Sequence, residues 1–233
     1  MGESRFPTML MDSIGVADIM THSTSSNTRL RQRVTIGPED HGRLITLEEF
    51  HRAKETQGFV YEIIDGVLIV SPNPKPIHDY WVQIVRAALA QYAQEHPERL
   101  NHLTENCEVV IPARPGITRP QPDIAAYRDF PDPPPDDWSE VCPVVVAEVI
   151  SDRREKKDVT RNRQLYWAAG GVMEYWIIDP REDERKPLMI ALVRRAGAPS
   201  WEEHVVPFGK SHKSTILPRF TLNLRRAKRK GTS

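Results

Sequence analysis

The sequence is poor in cysteine, and it has neither a long apolar run nor a signal-like N-terminus. Its two cysteines, Cys107 and Cys142, make no disulfide framework and lack the spacing of metal ligands. This usage fits a reducing compartment, where a disulfide is not expected. No apolar stretch approaches the length of a membrane span, and "MGESRFPTMLMDSIG" lacks the basic-then-apolar layout of a signal peptide. These absences predict a soluble cytoplasmic protein.

An excess of charge of either sign is absent as well. The chain has 32 Lys and Arg residues against 32 Asp and Glu residues, so its formal net charge is zero. The charge of the whole molecule therefore does not attract nucleic acid, and any such affinity must come from local patches.

The composition along the chain predicts three regions. Residues 1–43 include the polar, aperiodic run "THSTSSNTRLRQR", and we expect them to form a disordered N-terminal arm. Residues 44–225 have the length and pattern of one domain. Residues 226–233 form a basic C-terminal tail.

Strand and helix patterns are mixed within residues 44–225. Thr46 with Glu49 is a capping-box signature for a short helix, and Asp65-Gly66 between two β-rich runs predicts a hairpin. A long helix is predicted in "IHDYWVQIVRAALAQYAQEH", and another from about residue 155 to residue 169. Strands are predicted in "ENCEVVIP", "PDIAAY", "VVVAEV" and "MEYWIIDP", with shorter ones towards the end of the chain. The pattern indicates an α/β fold with a mixed β-sheet flanked by helices and antiparallel hairpins at the edges.

A carboxylate interrupts the apolar strand "VVVAEV". Alternation places Glu148 on the same face as Val146 and Ile150, and a buried charge without a partner is costly. Asp123 opens the preceding strand, so the two acids can meet at one edge of a sheet. Like charges at close range repel unless one is protonated or a cation lies between them. Mg²⁺, which takes oxygen ligands, satisfies this requirement, and Glu62 is a third acid that can complete the shell.

Each of these acids also has a structural interpretation. Asp123 can bond local backbone at the start of a strand, and Glu148 can pair with an arginine of the following helix. Glu62 can face solvent on its hairpin.

The motif Pro122-Asp123, followed by Glu148, resembles that of the PD-(D/E)XK, or restriction-endonuclease-like, nucleases. Within that superfamily the chain is similar to the Uma-type family of endonucleases. The matching stretches are "YEIIDGVLIVSPNPKPIHDYW", "PQPDIAAY", "VVVAEVISD" and "EYWIIDP", which span residues 61–180. The resemblance implies a restriction-endonuclease-like fold and nuclease activity.

The chain departs from this family at its lysine. The parent motif has a lysine two residues after the acid, where this chain has Ile150. In the Uma-type family the lysine lies in the following helix, one turn before a tyrosine. Counting from Glu148 and Tyr166 places Asn162 there, whereas counting backward from "EYW" places Arg163 there. Lys157, at the start of the helix, is a further cation that can reach back.

The resemblance implies a Mg²⁺- or Mn²⁺-dependent endonuclease that hydrolyses phosphodiester bonds of DNA. Asp123, Glu148 and Glu62 are the predicted metal ligands, and Arg163 or Asn162 is the predicted catalytic group beside them. His78, at the start of the long helix, and Lys157 are predicted contacts to nucleic acid. A homodimer is expected by analogy with enzymes that cut two strands. The alternative is a catalytically impaired relative that binds nucleic acid or a protein, because the lysine is replaced.

Overall fold

A layer of short strands and one short helix forms the first part of the fold. The computed structural model describes residues 35–105, 107–112, 114, 116–151, 157–181 and 187–225, all within one compact unit, Arg33–Ser233. The first elements are β1 (Thr35–Ile36), α1 (Leu47–Arg52), β2 (Lys54–Glu55), β3 (Phe59–Ile64) and β4 (Val67–Pro72). Strand β1 pairs in parallel with β2, and β3 forms an antiparallel hairpin with β4.

The fold begins earlier than the predicted boundary at residue 44. Ile36 in β1 is fully buried in a cluster with Phe50 and Tyr61, and a 3₁₀ turn at Pro38–Asp40 follows it. A single buried isoleucine within a polar stretch has no periodicity that the sequence could reveal. The rest of the predicted arm, residues 1–34, and the predicted tail, residues 226–233, lie outside the described residues.

Two local predictions are confirmed in this layer. The Thr46 hydroxyl accepts a hydrogen bond from the backbone N–H of Glu49 at 3.1 Å, which caps α1. Asp65 and Gly66 form the two-residue turn of the hairpin with φ of 53° and 78°. Positive φ at both positions is the geometry that matches the twist of a hairpin, and glycine adopts it without strain.

A six-stranded mixed sheet follows the long helix α2 (Pro76–Glu95), as predicted. Its strands are β5 (His102–Thr104), β6 (Ile124–Tyr127), β7 (Val145–Val149), β8 (Glu174–Asp179), β9 (Leu188–Val193) and β10 (Glu202–Pro207). They lie in the order β10-β9-β8-β7-β6-β5, with β7 and β8 parallel and the other pairs antiparallel. A separate hairpin, β11 (Ser211–Lys213) with β12 (Thr221–Asn223), completes the described chain.

The described residues of the predicted strand "ENCEVVIP", 105 and 107–112, do not form a strand. The strand of this region is β5, which ends at Thr104, and Val109 and Ile111 instead bond to the backbone of Pro120 and Thr118. These residues are buried in an extended segment, so their apolar character reflects burial rather than membership of the sheet.

Helices cover both faces of the sheet. On one face, Val145, Ala147 and Val149 pack in a cluster with α2. On the other face, Val146 and Ile150 pack with residues of α3 (Arg163–Ala168), which continues a π-helical turn over Lys157–Asn162. The predicted alternation of β7 is therefore confirmed, and Glu148 lies on the α3 face.

A buried carboxylate connects β8 to the segment before β12. Glu174 accepts hydrogen bonds from the Trp176 indole at 2.8 Å and from the Thr215 N–H and hydroxyl at 2.6 and 2.7 Å. Burial acts to raise the pKa of Glu174, but His212, Thr215 and Trp176 outweigh it, and the net pKa is lowered. A lowered pKa contributes stability above the unfolded-state pKa, and that stability is lost as the pH falls through the folded-state value.

We expect Glu174→Gln to lower the free energy of unfolding at pH 7 by about 1–3 kcal/mol. The amide places a donor against groups that are themselves donors. The difference in free energy of unfolding between the variant and the wild type should shrink as the pH falls below about 4. In that range protonation of Glu174 removes its stabilising contribution from the wild type. Urea unfolding at a series of pH values measures this, with exposed Glu98→Gln as the control. A deficit that stays constant down to acidic pH would contradict the assignment.

Candidate active site at the rim of the central sheet

Asp123 and Glu148 meet at the rim between β6 and β7. Ile124 pairs with Ala147 in the antiparallel register, and one further step places Asp123 opposite Glu148. Residues opposite each other in such a pair project to the same face. Both side chains line one cavity of about 110 Å³, together with His78. The two acids therefore lie on one cavity, as the strand pattern indicates, and their role as metal ligands stays a prediction.

Asp123 is oriented by two donors at one oxygen. Its Oδ2 lies 2.9 Å from Nε2 of His78 and accepts the Val149 N–H at 2.7 Å. His78 is buried in the first turn of α2, where Pro76 begins the helix. Within the described part of the chain, Oδ1 of Asp123 accepts no hydrogen bond. One oxygen is thus fixed by the protein, and the other remains for a ligand.

Glu148 is held by two side chains of the helical segment that follows it. Asn162 Nδ2 and the Tyr166 hydroxyl each donate to Glu148 Oε1 at 2.9 Å. Both donors are buried and lie four residues apart, so they share one face of the helix. Burial, followed by the negative charge of Glu148, raises the pKa of the Tyr166 phenol well above its ordinary value. Tyr166 therefore remains a hydrogen-bond donor across the physiological pH range.

Arg161 and Glu62 form an ion pair next to this carboxylate. Arg161 Nε donates to Asn162 Oδ1 at 3.0 Å, and its Nη2 lies 3.4 Å from Glu62 Oε2. Glu62 is buried in β3, and its Oε1 also accepts the Gln121 N–H at 3.1 Å. A chain of contacts thus runs from Glu62 through Arg161 and Asn162 to Glu148.

The comparison with known protein families found a match. Residues 47–225 match the profile of the Uma2 family, described as "putative restriction endonuclease". The chain belongs to this family. The match covers most of the chain, and a comparison with curated proteins found no match. The mixed α/β architecture is consistent with the restriction-endonuclease-like fold.

The two residues that the sequence offers at the family's lysine position make different contacts. Asn162 is the residue that contacts Glu148, as the count forward from Glu148 and Tyr166 predicts. Arg163, the other candidate, pairs with Glu203 of β10.

His78 and Lys157 are the predicted contacts to nucleic acid. His78 is 6% exposed and binds Asp123, and its contact to nucleic acid stays a prediction. The Lys157 side chain lies outside the described residues. Arg161 was not among the predicted site residues, because α-helical spacing does not place it on the helix face that Asn162 and Tyr166 share. The π-helical turn at 157–162 has wider i to i+5 bonding, which alters the angle between successive residues.

The donor set fits a hard divalent cation held by two carboxylates. Among the described residues there is no group of three or more His, Cys, Asp or Glu side chains that could hold a metal ion. Glu62 is engaged by Arg161 and the Gln121 N–H, and it is not among the residues that line the cavity. Mg²⁺ commonly takes one or two carboxylates and completes its shell with water and substrate. Asp123 and Glu148 meet that requirement by themselves.

None of the helices in the described part of the chain has the length and apolar character of a membrane span.

Proposed function

We propose that this protein is a Mg²⁺- or Mn²⁺-dependent endonuclease that hydrolyses phosphodiester bonds in DNA. The observation that carries the proposal is the pairing of Asp123 and Glu148 across β6 and β7, on one cavity. Membership of a family described as restriction endonucleases supports the substrate class. Phosphodiester cleavage by a nuclease of this class needs oxygen ligands for a cation at a position open to substrate.

Asp123 and Glu148 are the residues that would hold the ion. When bound, it stabilises negative charge on a phosphoryl oxygen and lowers the pKa of water. His78 and the Val149 N–H fix the orientation of Asp123, and Asn162 with Tyr166 fixes that of Glu148. Partners of this kind raise affinity because the ligands are already in place before the ion arrives.

Arg161 supplies the positive charge that the family pattern assigns to a lysine. Its Nε and Nη2 bond Asn162 and Glu62, whereas Nη1 makes no hydrogen bond within the described residues. A guanidinium stays protonated, so it does not serve as a base; it stabilises charge that develops on a phosphate.

Arg161→Gln should lower kcat by about 100-fold, because removing one preorganised donor from a charge-stabilising site costs about 10²–10³. Arg161→Lys should recover part of the rate, since the charge is kept. Arg163→Gln, a neighbouring arginine paired with Glu203, is the matched control and should leave kcat unchanged. Steady-state cleavage of a labelled duplex measures all three. Equal effects of the Arg161→Gln and Arg163→Gln changes would exclude a special role for Arg161.

The proposal as a whole is tested with supercoiled plasmid DNA and a titrated divalent ion. Nicked and linear products should appear with Mg²⁺ or Mn²⁺ and disappear when EDTA is added. Absence of any cleavage over the metal series, with protein shown to be folded, would overturn the proposed activity.

One observation favours a second candidate, a protein that binds DNA without cutting it. The lysine position is occupied by Asn162, whose amide is already engaged by Glu148 and Arg161. This alternative predicts metal-independent retention of DNA that weakens steeply with salt. Cleavage that appears only after Asn162→Lys would favour it.

A further inference from the structure

A second cavity adjoins the candidate active site. It has a volume of about 640 Å³, and we call it the side cavity. Its walls include Cys107 and Glu108, in the extended segment after β5, and the loop 130–138. Gln121 lines both the side cavity and the cavity that contains Asp123 and Glu148. The two cavities therefore share a wall at Gln121.

Flat aromatic rings form part of the side cavity. The rings of His102 and Phe130 are stacked, with centroids 3.9 Å apart and planes 16° apart, and Trp138 lines the same space. Burial lowers the pKa of His102, so its imidazole is neutral at neutral pH. The volume falls within the range of about 300–1,000 Å³ that is usual for sites that bind small organic molecules. Its volume and aromatic lining suit a planar heterocycle.

Besides His51, His102 and Gln121, the polar lining of the side cavity includes the carboxylates of Glu108, Asp136 and Asp137, which are hydrogen-bond acceptors. Glu108 uses Oε2 to accept from Arg119 at 2.7 Å, whereas its Oε1 accepts no hydrogen bond within the described residues. Asp136, also on the lining, has no hydrogen-bond partner among those residues. Asp137, by contrast, is bound by Arg119 at two positions. The unused acceptors favour a neutral ligand that carries N–H donors, and they oppose a phosphate group.

We propose that the side cavity binds an unstacked nucleobase of the substrate strand, next to the cleaved bond, and selects bases that carry an amino group. The inference rests on the proposed function for its substrate. Adenine, cytosine and guanine each have an exocyclic amino group that can donate a hydrogen bond to a carboxylate. Thymine has no amino group, and its N3–H lies between two carbonyl oxygens that repel a carboxylate. Stacking on side-chain rings and hydrogen bonding along the edge of the base are the usual means of holding a base outside its duplex.

Binding of labelled single-stranded pentamers tests this without any need for cleavage. In fluorescence anisotropy with EDTA, oligo-dA and oligo-dC should bind roughly tenfold more tightly than oligo-dT, the scale of one good carboxylate contact to a base. Asp136→Asn and Glu108→Gln should each reduce that preference. Asp132→Asn, an exposed carboxylate in the same loop that does not line the side cavity, should leave it unchanged.

Two results would overturn the proposal. One is equal affinity for the three pentamers, and the other is a preference that survives both the Asp136 and the Glu108 changes. Failure of the proposed nuclease activity would give a different result. The plasmid would stay intact, but the wild type would still prefer oligo-dA and oligo-dC, and the Asp136→Asn and Glu108→Gln variants would still show a reduced preference. If plasmid is cut but the preference is absent, the proposed function stands and the side cavity is not a base site.

Discussion

Asp123→Asn and Glu148→Gln should each reduce DNA cleavage by at least about 100-fold, because a bound cation contributes several kcal/mol to the transition state and each 1.36 kcal/mol is a factor of ten. Neutral amides bind a divalent cation far more weakly than carboxylates do. Glu148→Gln keeps an oxygen that can accept from Tyr166 and Asn162, and Asp123→Asn keeps one for the Val149 N–H. Loss of activity would therefore report on charge at the site rather than on unfolding.

The measurement is the initial rate of plasmid nicking at saturating Mn²⁺, with thermal unfolding in parallel to show that each variant is folded. Glu202→Gln, an exposed glutamate on β10, is the control that changes the same charge elsewhere. Retention of more than about a tenth of the wild-type rate in either variant would show that the residue does not carry the reaction.

Arg119→Ala should lower the free energy of unfolding by about 3–5 kcal/mol, the cost of removing one partner from a buried ion pair. Arg119 is buried and donates to Glu108 at 2.7 Å and to Asp137 at 3.2 Å. Its removal leaves the carboxylate of Glu108, itself 9% exposed, without its cation. The same guanidinium holds the pKa of Asp137 well below its usual range.

A double variant shows whether the stability lost in Arg119→Ala comes from a buried unpaired charge or from lost packing. Arg119→Met together with Glu108→Leu should recover much of the lost stability, because apolar side chains of similar volume replace buried ion pairs at little cost. Urea unfolding at pH 7 measures each variant. The deficit of Arg119→Ala should also shrink as the pH falls below about 4, because the lowered pKa of Asp137 gives the wild type an advantage only above that range. If the double variant is less stable than Arg119→Ala alone, packing rather than charge dominates this position.

Local chemistry accounts for the parts of the fold that the sequence predicts well. Thr46 and Asp65-Gly66 act within a few residues, so their cap and turn can be read without knowledge of the rest of the chain. The alternation around Glu148 can also be read locally, because successive side chains of a strand point to opposite faces. That period, with Asp123 at the start of the neighbouring strand, is sufficient to predict the carboxylate pair.

Contacts between distant segments account for what the sequence does not predict. Arg161 meets Glu62 across 99 positions of the chain, and Arg119 joins Glu108 to Asp137 in no recognisable motif. His78 looks like a surface residue at the start of a helix, and only the packing of α2 against the sheet brings it to Asp123. The choice between Asn162 and Arg163 could not be made from the sequence, because a shift of one position decides whether a side chain meets Glu148 or Glu203.

Titration calorimetry with Mn²⁺ on the wild-type chain and on the Asp123→Asn and Glu148→Gln variants tests the carboxylate pair most directly. The wild type should bind the ion, and each variant should bind it at least about tenfold more weakly, since even the loss of a group that merely orients a ligand costs 10–100-fold. Failure of the wild type to bind Mn²⁺, or equal affinity in all three proteins, would contradict the account.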